Sequence, residues 1–326
     1  MNQFGNSFRL SIWGESHGPA VGITIDGVRG GIALTEADFE ADLSRRRGGK
    51  AGTTPRAEAD LPHILSGVYE GHTTGAPLTI LFENSNTRSG DYSNLKHHFR
   101  PSHADRVAAD KFDGMNDPRG GGHFSARLTV ALVAAGVVAK KMLPETLRFA
   151  TSMVSVGGES DPTRFEEVVR AAAAEGDSVG GVVECRVGGL PSGWGEPLFD
   201  SAESLVAHLA FAVPAVKGVE FGDGFAVAQR RGSENNDPII NAEGTTLTNH
   251  AGGIDGGITN GNELVVRLAF KPTPSIAREQ MTFDRALGAM APLAIRGRHD
   301  ACVALRGQVV AEAVVAIALA ELSLRA

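Results

Sequence analysis

The chain has 326 residues, enough to bury a substantial core as one large domain or two smaller ones. A formal charge of −7 and a pI of 5.8 argue against a nucleic-acid or anionic-membrane surface. Two tyrosines and two tryptophans are too few for a base-stacking platform. In chain order, residues 8–13 and 21–28 read as strands flanking the polar loop 14–18. Thr35 opens a helix with capping-box spacing to Asp38, running to Arg45-Arg46-Arg47 and Gly48-Gly49. Strand-like runs follow at 64–69 and 78–82, then a polar, turn-rich stretch from 84 to 122. Helices are expected from Ser125 to Leu143, from Thr163 to Glu175 with its own capping box, and over 202–212. Further strands are expected at 182–187, 219–228 and 263–270. The last long helix runs to about Leu322; its apolar stretch, Val309 to Leu322, is interrupted by Glu312, is too short to span a bilayer and reads as buried.

Strands and helices mix without a regular βαβ beat, so the expected class is α+β with antiparallel sheets. A polar Gly/Arg loop followed by a long helix of small apolar residues occurs at 119–143 and again at 296–322, as in two related halves around shared helices. Nothing divides the chain, and 1–326 is expected to be a single domain. Cys185 and Cys302 cannot form a disulfide framework or a zinc site by themselves. Together with the lack of a recognisable signal peptide, they point to the cytosol.

Forty-one glycines exceed the usual ~7% and imply tight turns or backbone held close to ligands. The histidines and arginines gather among them. His17 sits in Gly14-Glu15-Ser16-His17-Gly18; with an ordinary pKa near 6.5 it could carry a proton at physiological pH. The plain alternative is a turn with a hydrogen-bonding histidine. In Arg100-Pro101-Ser102-His103-Ala104-Asp105, Ser102 is expected to cap a helix with His103 in its first turn, a setting that favours anions; an ordinary capped helix is the alternative. Arg119-Gly120-Gly121-Gly122-His123-Phe124-Ser125-Ala126-Arg127 lets backbone N–H groups approach an anion, although it has neither Rossmann nor P-loop spacing. Lys271-Pro272-Thr273-Pro274-Ser275 offers charge and hydroxyls on a fixed backbone. Asp300, in Arg296-Gly297-Arg298-His299-Asp300, could be a helix N-cap or one half of a surface charge pair. Together these describe a locally cationic pocket for a multiply anionic ligand, without metal-binding spacing.

Gly14–Gly18, the 120–129 run and Arg298-His299-Asp300 resemble, in order, the three characteristic motifs of chorismate synthase. The similarity extends over nearly the whole chain, through Arg45–Arg47, Arg100–Asp105, Ala215-Val216-Lys217-Gly218, Asn249–Gly257 and Lys271–Ser275. The resemblance implies a lyase that converts 5-enolpyruvylshikimate 3-phosphate to chorismate and phosphate by anti-1,4-elimination. It also implies reduced FMN as cofactor, with NADPH one source of the reducing equivalents, and a cytoplasmic homotetramer whose helices lie between antiparallel sheets. It implies substrate clamps at Arg46, Arg100, Arg127 and Arg298, and His103 as the acid for departing phosphate. His17 would keep the flavin in its proper protonation state, and Asp300 would relay a proton. FMN contacts would come from His123, Phe124, Ser125, Ala215, Gly256, Lys271, Pro272, Thr273, Pro274, Ser275 and Arg298.

The sequence departs from the family's pattern in three places. His123-Phe124-Ser125 stands where many members have Arg-Ser-Ser, which shifts flavin contacts there toward backbone. Pro214 replaces a common asparagine. Around Lys50-Ala51-Gly52 a second basic contact is absent or is supplied by Lys50. Two rival readings remain at this stage: another FMN-dependent oxidoreductase acting on a polyanionic metabolite, and a non-catalytic anion-binding protein, which would need the arginines but not the histidines.

Overall fold

The computed structural model describes residues 2–56, 58–86, 95–295, 297 and 299–326. The N-terminal half contains strands β1 (Gln3–Phe4), β2 (Arg9–Gly14) and β3 (Ala20–Asp26), helix α1 (Glu40–Arg46) and strand β4 (His63–Ser66). The small hairpin β5–β6 (Val68–Tyr69, His72–Thr73) leads to β7 (Leu78–Glu83), α2 (Asp105–Lys111) and α3 (Thr129–Met142). The C-terminal half contains β8 (Arg148–Val156), α4 (Phe165–Ala174), β9 (Gly181–Gly188), α5 (Ala202–Ala212), β10 (Val216–Phe221) and the one-turn α6 (Gly232–Asn235). The hairpin β11–β12 (Ile254–Asp255, Ile258–Thr259), β13 (Leu264–Phe270), the hairpin β14–β15 (Gln280–Asp284, Ala289–Leu293) and α7 (Ala304–Ser323) complete it.

The strands make two antiparallel sheets, β1-β2-β3-β7-β4 and β10-β13-β9-β8. Period-two alternation along β7 turns Leu78, Ile80 and Phe82 inward, all fully buried. That face packs on α3, while α7 packs on β8 and β9, and the two helices pack on each other. The order is therefore sheet, helix, helix, sheet. Both central helices are apolar around most of their circumference, as elements buried on all sides must be. Their backbones meet at Gly136, where a Cβ would stand 2.5 Å from the Ala313 Cβ. The two similar loop–helix segments of the sequence are thus the centre of the molecule, one helix for each sheet.

Glu312 interrupts the apolar run of α7 because it is satisfied there. It accepts from both terminal nitrogens of Arg45 (3.0 and 2.7 Å), from Lys140 and from the Thr151 hydroxyl (3.0 Å). Burial pushes its carboxyl up, but Arg45 and Lys140 win and hold it at about 2. Near the helix end, fully buried Glu321 accepts backbone N–H bonds from Asn6, Ser7 and Phe8, tying α7 to the start of the first sheet.

Several local expectations are corrected. The run from Thr35 is a 3-10 turn before α1, and Asp161, accepting the Thr163 N–H at 3.0 Å, caps the 3-10 turn 162–164 ahead of α4, which itself starts from Arg164 with no side-chain cap and no Thr163–Glu166 box. Ser102 caps nothing: its φ is +57°, α2 starts only at Asp105, and His103 precedes the helix. The strand expected over 219–228 ends at Phe221 and becomes a 3-10 turn. Asp300 is not an N-cap, since α7 begins from Val303.

Candidate active site

A cavity of about 770 Å³ opens where the ends of both sheets and both central helices converge, in the upper part of the ~300–1,000 Å³ range of small-molecule sites. Among the described residues eight of its lining side chains are Lys or Arg (Arg46, Arg47, Arg56, Arg100, Arg127, Lys217, Lys271, Arg306), against three carboxylates (Glu58, Asp60, Asp300). An acidic protein therefore encloses a cationic pocket, as the clustering of arginines and histidines implied.

One edge is the triple-glycine loop. Gly120, Gly121 and Gly122 have φ of +57°, +85° and +54°, a conformation that needs glycine when repeated. Close approach demands it too. A Cβ on Gly120 would lie 2.2 Å from His17 Cε1, and one on Gly121 would lie 3.1 Å from His103 Cε1. The loop thus separates the two histidines by the thickness of one backbone. The Ser16 N–H donates to the Gly122 carbonyl (3.1 Å), and His123 Nδ1 donates to the Gly14 carbonyl (2.8 Å), so the 14–18 loop is laced to it.

The arginines are more committed than their expected role as clamps requires. Buried Arg46 donates to Asp60 (2.9 Å), the Thr129 hydroxyl and the carbonyls of Ala126 and Arg127. Arg127 donates to the other oxygen of Asp60, to the Asn84 side chain (2.9 Å) and to the Glu83 carbonyl. Asp60 is thus a buried carboxylate shared by two guanidinium groups. Arg100 makes a two-pronged pair with Asp105 (2.7 Å at each prong) and also reaches Ser275 Oγ (2.9 Å). Lys217 and Lys271 have no carboxylate partner among the described residues. Burial and the charge of Lys217 lower the Lys271 pKa, and its ammonium donates to the Ser102 carbonyl.

His17, behind Gly120, is neutral: burial, then Arg56 and Arg119, push it down to about 4, where the sequence alone suggested a proton at physiological pH. Burial likewise lowers His103, although Asp105 Oδ1, 2.6 Å from Nδ1, works against it. Asp300 accepts the Thr54 N–H (2.8 Å) and pairs with Arg306 (3.1 Å). Non-glycine residues with left-handed backbone concentrate here: Asp60 (+49°), Ser102 (+57°) and Ala215 (+78°) all line the cavity.

Of the residues expected from the sequence, Arg46, Arg100, His103, His123, Phe124, Ser125, Arg127, Ala215, Lys271, Thr273, Pro274, Ser275 and Asp300 share this wall. His17 stands one layer behind it. Two stand apart from this wall. Pro272 turns away to pack near Gly180, and Gly256 sits in the two-residue turn of β11–β12, its Cβ direction open. Arg298 lies outside the described residues. At the departure near residue 52, the backbone decides: φ is +76°, a Cβ would meet Val169 at 2.2 Å, and the Gly52 carbonyl accepts from Ala301 and Cys302. A side chain there would displace the turn that presents Asp300. Sequence reasoning missed Arg56, Glu58, Asp60 and Arg306, whose only signal was charge in loops or at a helix start. It passed over Asn84, which links Arg127 to the carbonyls of Glu15 and Gly18. Among the described residues no group of three His, Cys, Asp or Glu side chains is placed to hold a metal ion, and no helix is long and apolar enough to cross a membrane.

A cationic cavity, two histidines flanking a glycine loop and a buried carboxylate define an α+β enzyme acting on a small polyanion. Residues 8–324 match the sequence profile of the chorismate synthase family. A chorismate synthase from Chitinophaga pinensis is 56% identical over 324 residues, covering 99% of this chain and 97% of that protein. One from Archaeoglobus fulgidus is 44% identical over 348 residues, covering 98% and 96%. A crystal structure of chorismate synthase superposes with a TM-score of 0.75 at 27% identity, over 99% of this chain and 93% of that one. The chain belongs to the chorismate synthase family. Its activity is that lyase reaction of the shikimate pathway, conversion of 5-enolpyruvylshikimate 3-phosphate to chorismate and phosphate, and nothing favours the oxidoreductase alternative.

Proposed function

We propose that His103, His17 and Asp300 are the catalytic groups of this lyase and that reduced FMN is its cofactor. The observation that carries the reading is the pair of histidines on either side of Gly120–Gly121, at a cavity lined by eight cationic side chains. The substrate brings two carboxylates and a phosphate, and such a ligand needs a prepaid field of positive charge. The arginines supply that field mainly through their fixed positions. Lys217 and Lys271 are the cations without a carboxylate partner among the described residues.

Elimination breaks a C–O bond and a C–H bond and leaves a new double bond, with no net redox change. His103 protonates the departing phosphate. Burial lowers its pKa and an anion beside it raises it, so entry of the phosphate favours the proton on the imidazole and couples acid strength to substrate binding. His17 is neutral for the same reason and acts as a proton acceptor beside the glycine loop. Asp300, held by the Thr54 N–H and by Arg306, receives a proton in this reading.

The residues present fit a flavin mononucleotide. Thr273 Oγ1 is buried with no hydrogen-bond partner among the described residues, beside Lys271 and near Lys217, as a phosphate site requires. Backbone at 123–125 and the strained Ala215 offer polar edges to a heterocycle, with Pro274 and Ser275 completing that side; Arg298, outside the described residues, is proposed as a further cationic contact on the family likeness alone. When bound, reduced FMN supplies electron density to the breaking C–O bond and takes up the ring hydrogen.

We extend the proposal to one domain spanning 1–326, supported by a continuous core from Phe8 to Leu322. A cytoplasmic homotetramer is proposed from the family likeness. Large apolar side chains left exposed over 198–247, including Leu198, Phe199, Phe225, Ile239 and Leu247, favour assembly; light scattering checks it.

The deciding assay is phosphate release from the enolpyruvyl substrate with photoreduced FMN under argon. One phosphate should appear per chorismate while the reduced-flavin spectrum persists; stoichiometric loss of reduced flavin would overturn the reading. His17→Ala and His103→Ala should each slow turnover by ~10²-fold or more. Bleaching of bound FMN by NADPH under argon tests that reductant.

A further inference from the structure

Three groups meet just before α2. Asp105 accepts from Arg100 Nε (2.7 Å), Arg100 Nη2 (2.7 Å) and the Arg100 backbone N–H (3.2 Å), and His103 Nδ1 lies 2.6 Å from its Oδ1. Arg100 spends its remaining terminal nitrogen on Ser275 Oγ. Both side chains of the Arg100–Asp105 pair are nearly inaccessible, and Nδ1 of His103 is sealed from solvent; it lies 2.6 Å from Oδ1 with its ring N–H aligned on no acceptor, so the contact is a close charge–imidazole approach and not an in-line hydrogen bond. The opposite edge of the ring, Cε1 and Nε2, faces Gly121, and the His103 side chain itself lines the cavity.

A carboxylate only accepts, so a bare nitrogen lone pair 2.6 Å from it would be repelled, and the proton is favoured on that nitrogen. We propose that Asp105, itself oriented by Arg100, is the positioning residue of His103: it holds Nδ1–H inward and leaves Nε2 as the nitrogen that exchanges a proton with the cavity, so that Arg100 serves this carboxylate and not the substrate. The inference rests on His103 being the acid proposed above. It reassigns Arg100, and it explains why that arginine must be a planar two-pronged donor and why Ser102 gives up helix capping. With Ser102 in the left-handed region, the chain doubles back so that His103 and Arg100 reach the same carboxylate.

Three charged groups act on His103: Asp105 and Arg100 from its own segment, and Lys271 from the segment after β13. Asp105 alone favours the imidazolium. Asp105→Asn should therefore lower turnover by about 10²-fold or more with KM within about threefold. The alkaline limb of the kcat profile, where a required proton is lost, should move to lower pH. Arg100→Lys should lower kcat with little change in KM; a rise in KM without loss of kcat would restore the clamp role and overturn the inference.

A measurement on the unaltered protein guards against variants that fail to fold. Nitrogen-15 NMR of histidine-labelled protein, with the His103 signal assigned by its loss in His103→Gln, should show neutral His103 protonated at Nδ1. Protonation at Nε2 would overturn the inference. If His103→Ala turns over like wild type, the acid role fails and the inference falls with it. If His103→Ala is slow and Asp105→Asn is not, the acid role stands and the inference alone is lost.

Discussion

At Gly120 one methyl group is enough to test the site. Alanine there would push a carbon to 2.2 Å from His17 Cε1 and 2.3 Å from Nδ1, on a backbone with φ of +57°. The strain itself costs ~1–2 kcal/mol, a fraction of a domain's stability. Gly120→Ala should therefore remain folded by circular dichroism yet lose ~10²-fold or more in turnover, because it displaces the histidine proposed above as an acid–base group. The glycine run was legible in the sequence. Its purpose was not, because His17 and His103 lie 103 and 17 positions upstream and meet it only through tertiary packing. The arginines were found as cations, but which carboxylate each one answers is a long-range fact: Arg45 to Glu312, Arg46 to Asp60, Arg47 to Glu40.

Among the elements, the α3–α7 contact is the tightest test of packing. Gly136→Val must push Ala313 away, since even a Cβ lies 2.5 Å from its Cβ and 2.7 Å from its Cα. Overpacking of this kind costs ~1–3 kcal/mol, and the backbone contact places it at the upper end, read as a lower denaturation midpoint. Glu312 on the same helix predicts a pH dependence. A carboxylate whose folded pKa lies below its unfolded value contributes stability above the unfolded value of 4.5 and loses it as the pH falls through about 2. The depression corresponds to roughly 3 kcal/mol at most. Glu312→Gln should be less stable near neutrality and show a shallower loss in that acid window, measured by urea unfolding at a series of pH values.

Element limits were read best where a cap and an apolar pattern agreed. Helix α5 is as expected over 202–212 because Ser201 does cap it, accepting the Ser204 N–H. The reading failed where a polar residue had a better long-range partner. Asp105 turns back to Arg100, so α2 begins without a side-chain cap and Ser102 is left in a strained turn. The four-residue offset at the start of α3 has a similar origin, since Ser125 caps a 3-10 turn ahead of the helix proper.

At the scale of the whole molecule, a protein of net charge −7 must admit a polyanion. Its outer field repels the substrate while the cavity attracts it, and salt screens both over ~8 Å at physiological ionic strength. The cavity interaction is shorter in range and richer in charge, so KM should rise as salt increases while kcat changes little. Steady-state kinetics across a potassium chloride series checks this; a falling KM would mean that repulsion by the exterior dominates. The sandwich order was foreseen from the resemblance to chorismate synthases, but the convergence of the two similar loops on one cavity is a property of the assembled sheets.

The left-handed residues around that cavity carry a consequence for how such a protein changes over generations. Ser102 and Ala215 hold conformations that glycine adopts freely, and each costs ~1–2 kcal/mol to keep. Ser102→Gly and Ala215→Gly are therefore accessible routes to a hardier fold, partly offset by the looser unfolded chain that glycine brings. A library screened for heat resistance alone should accumulate them, and one screened for chorismate formation should purge them. The distortion would then mark, without any alignment, where selection has favoured chemistry over durability.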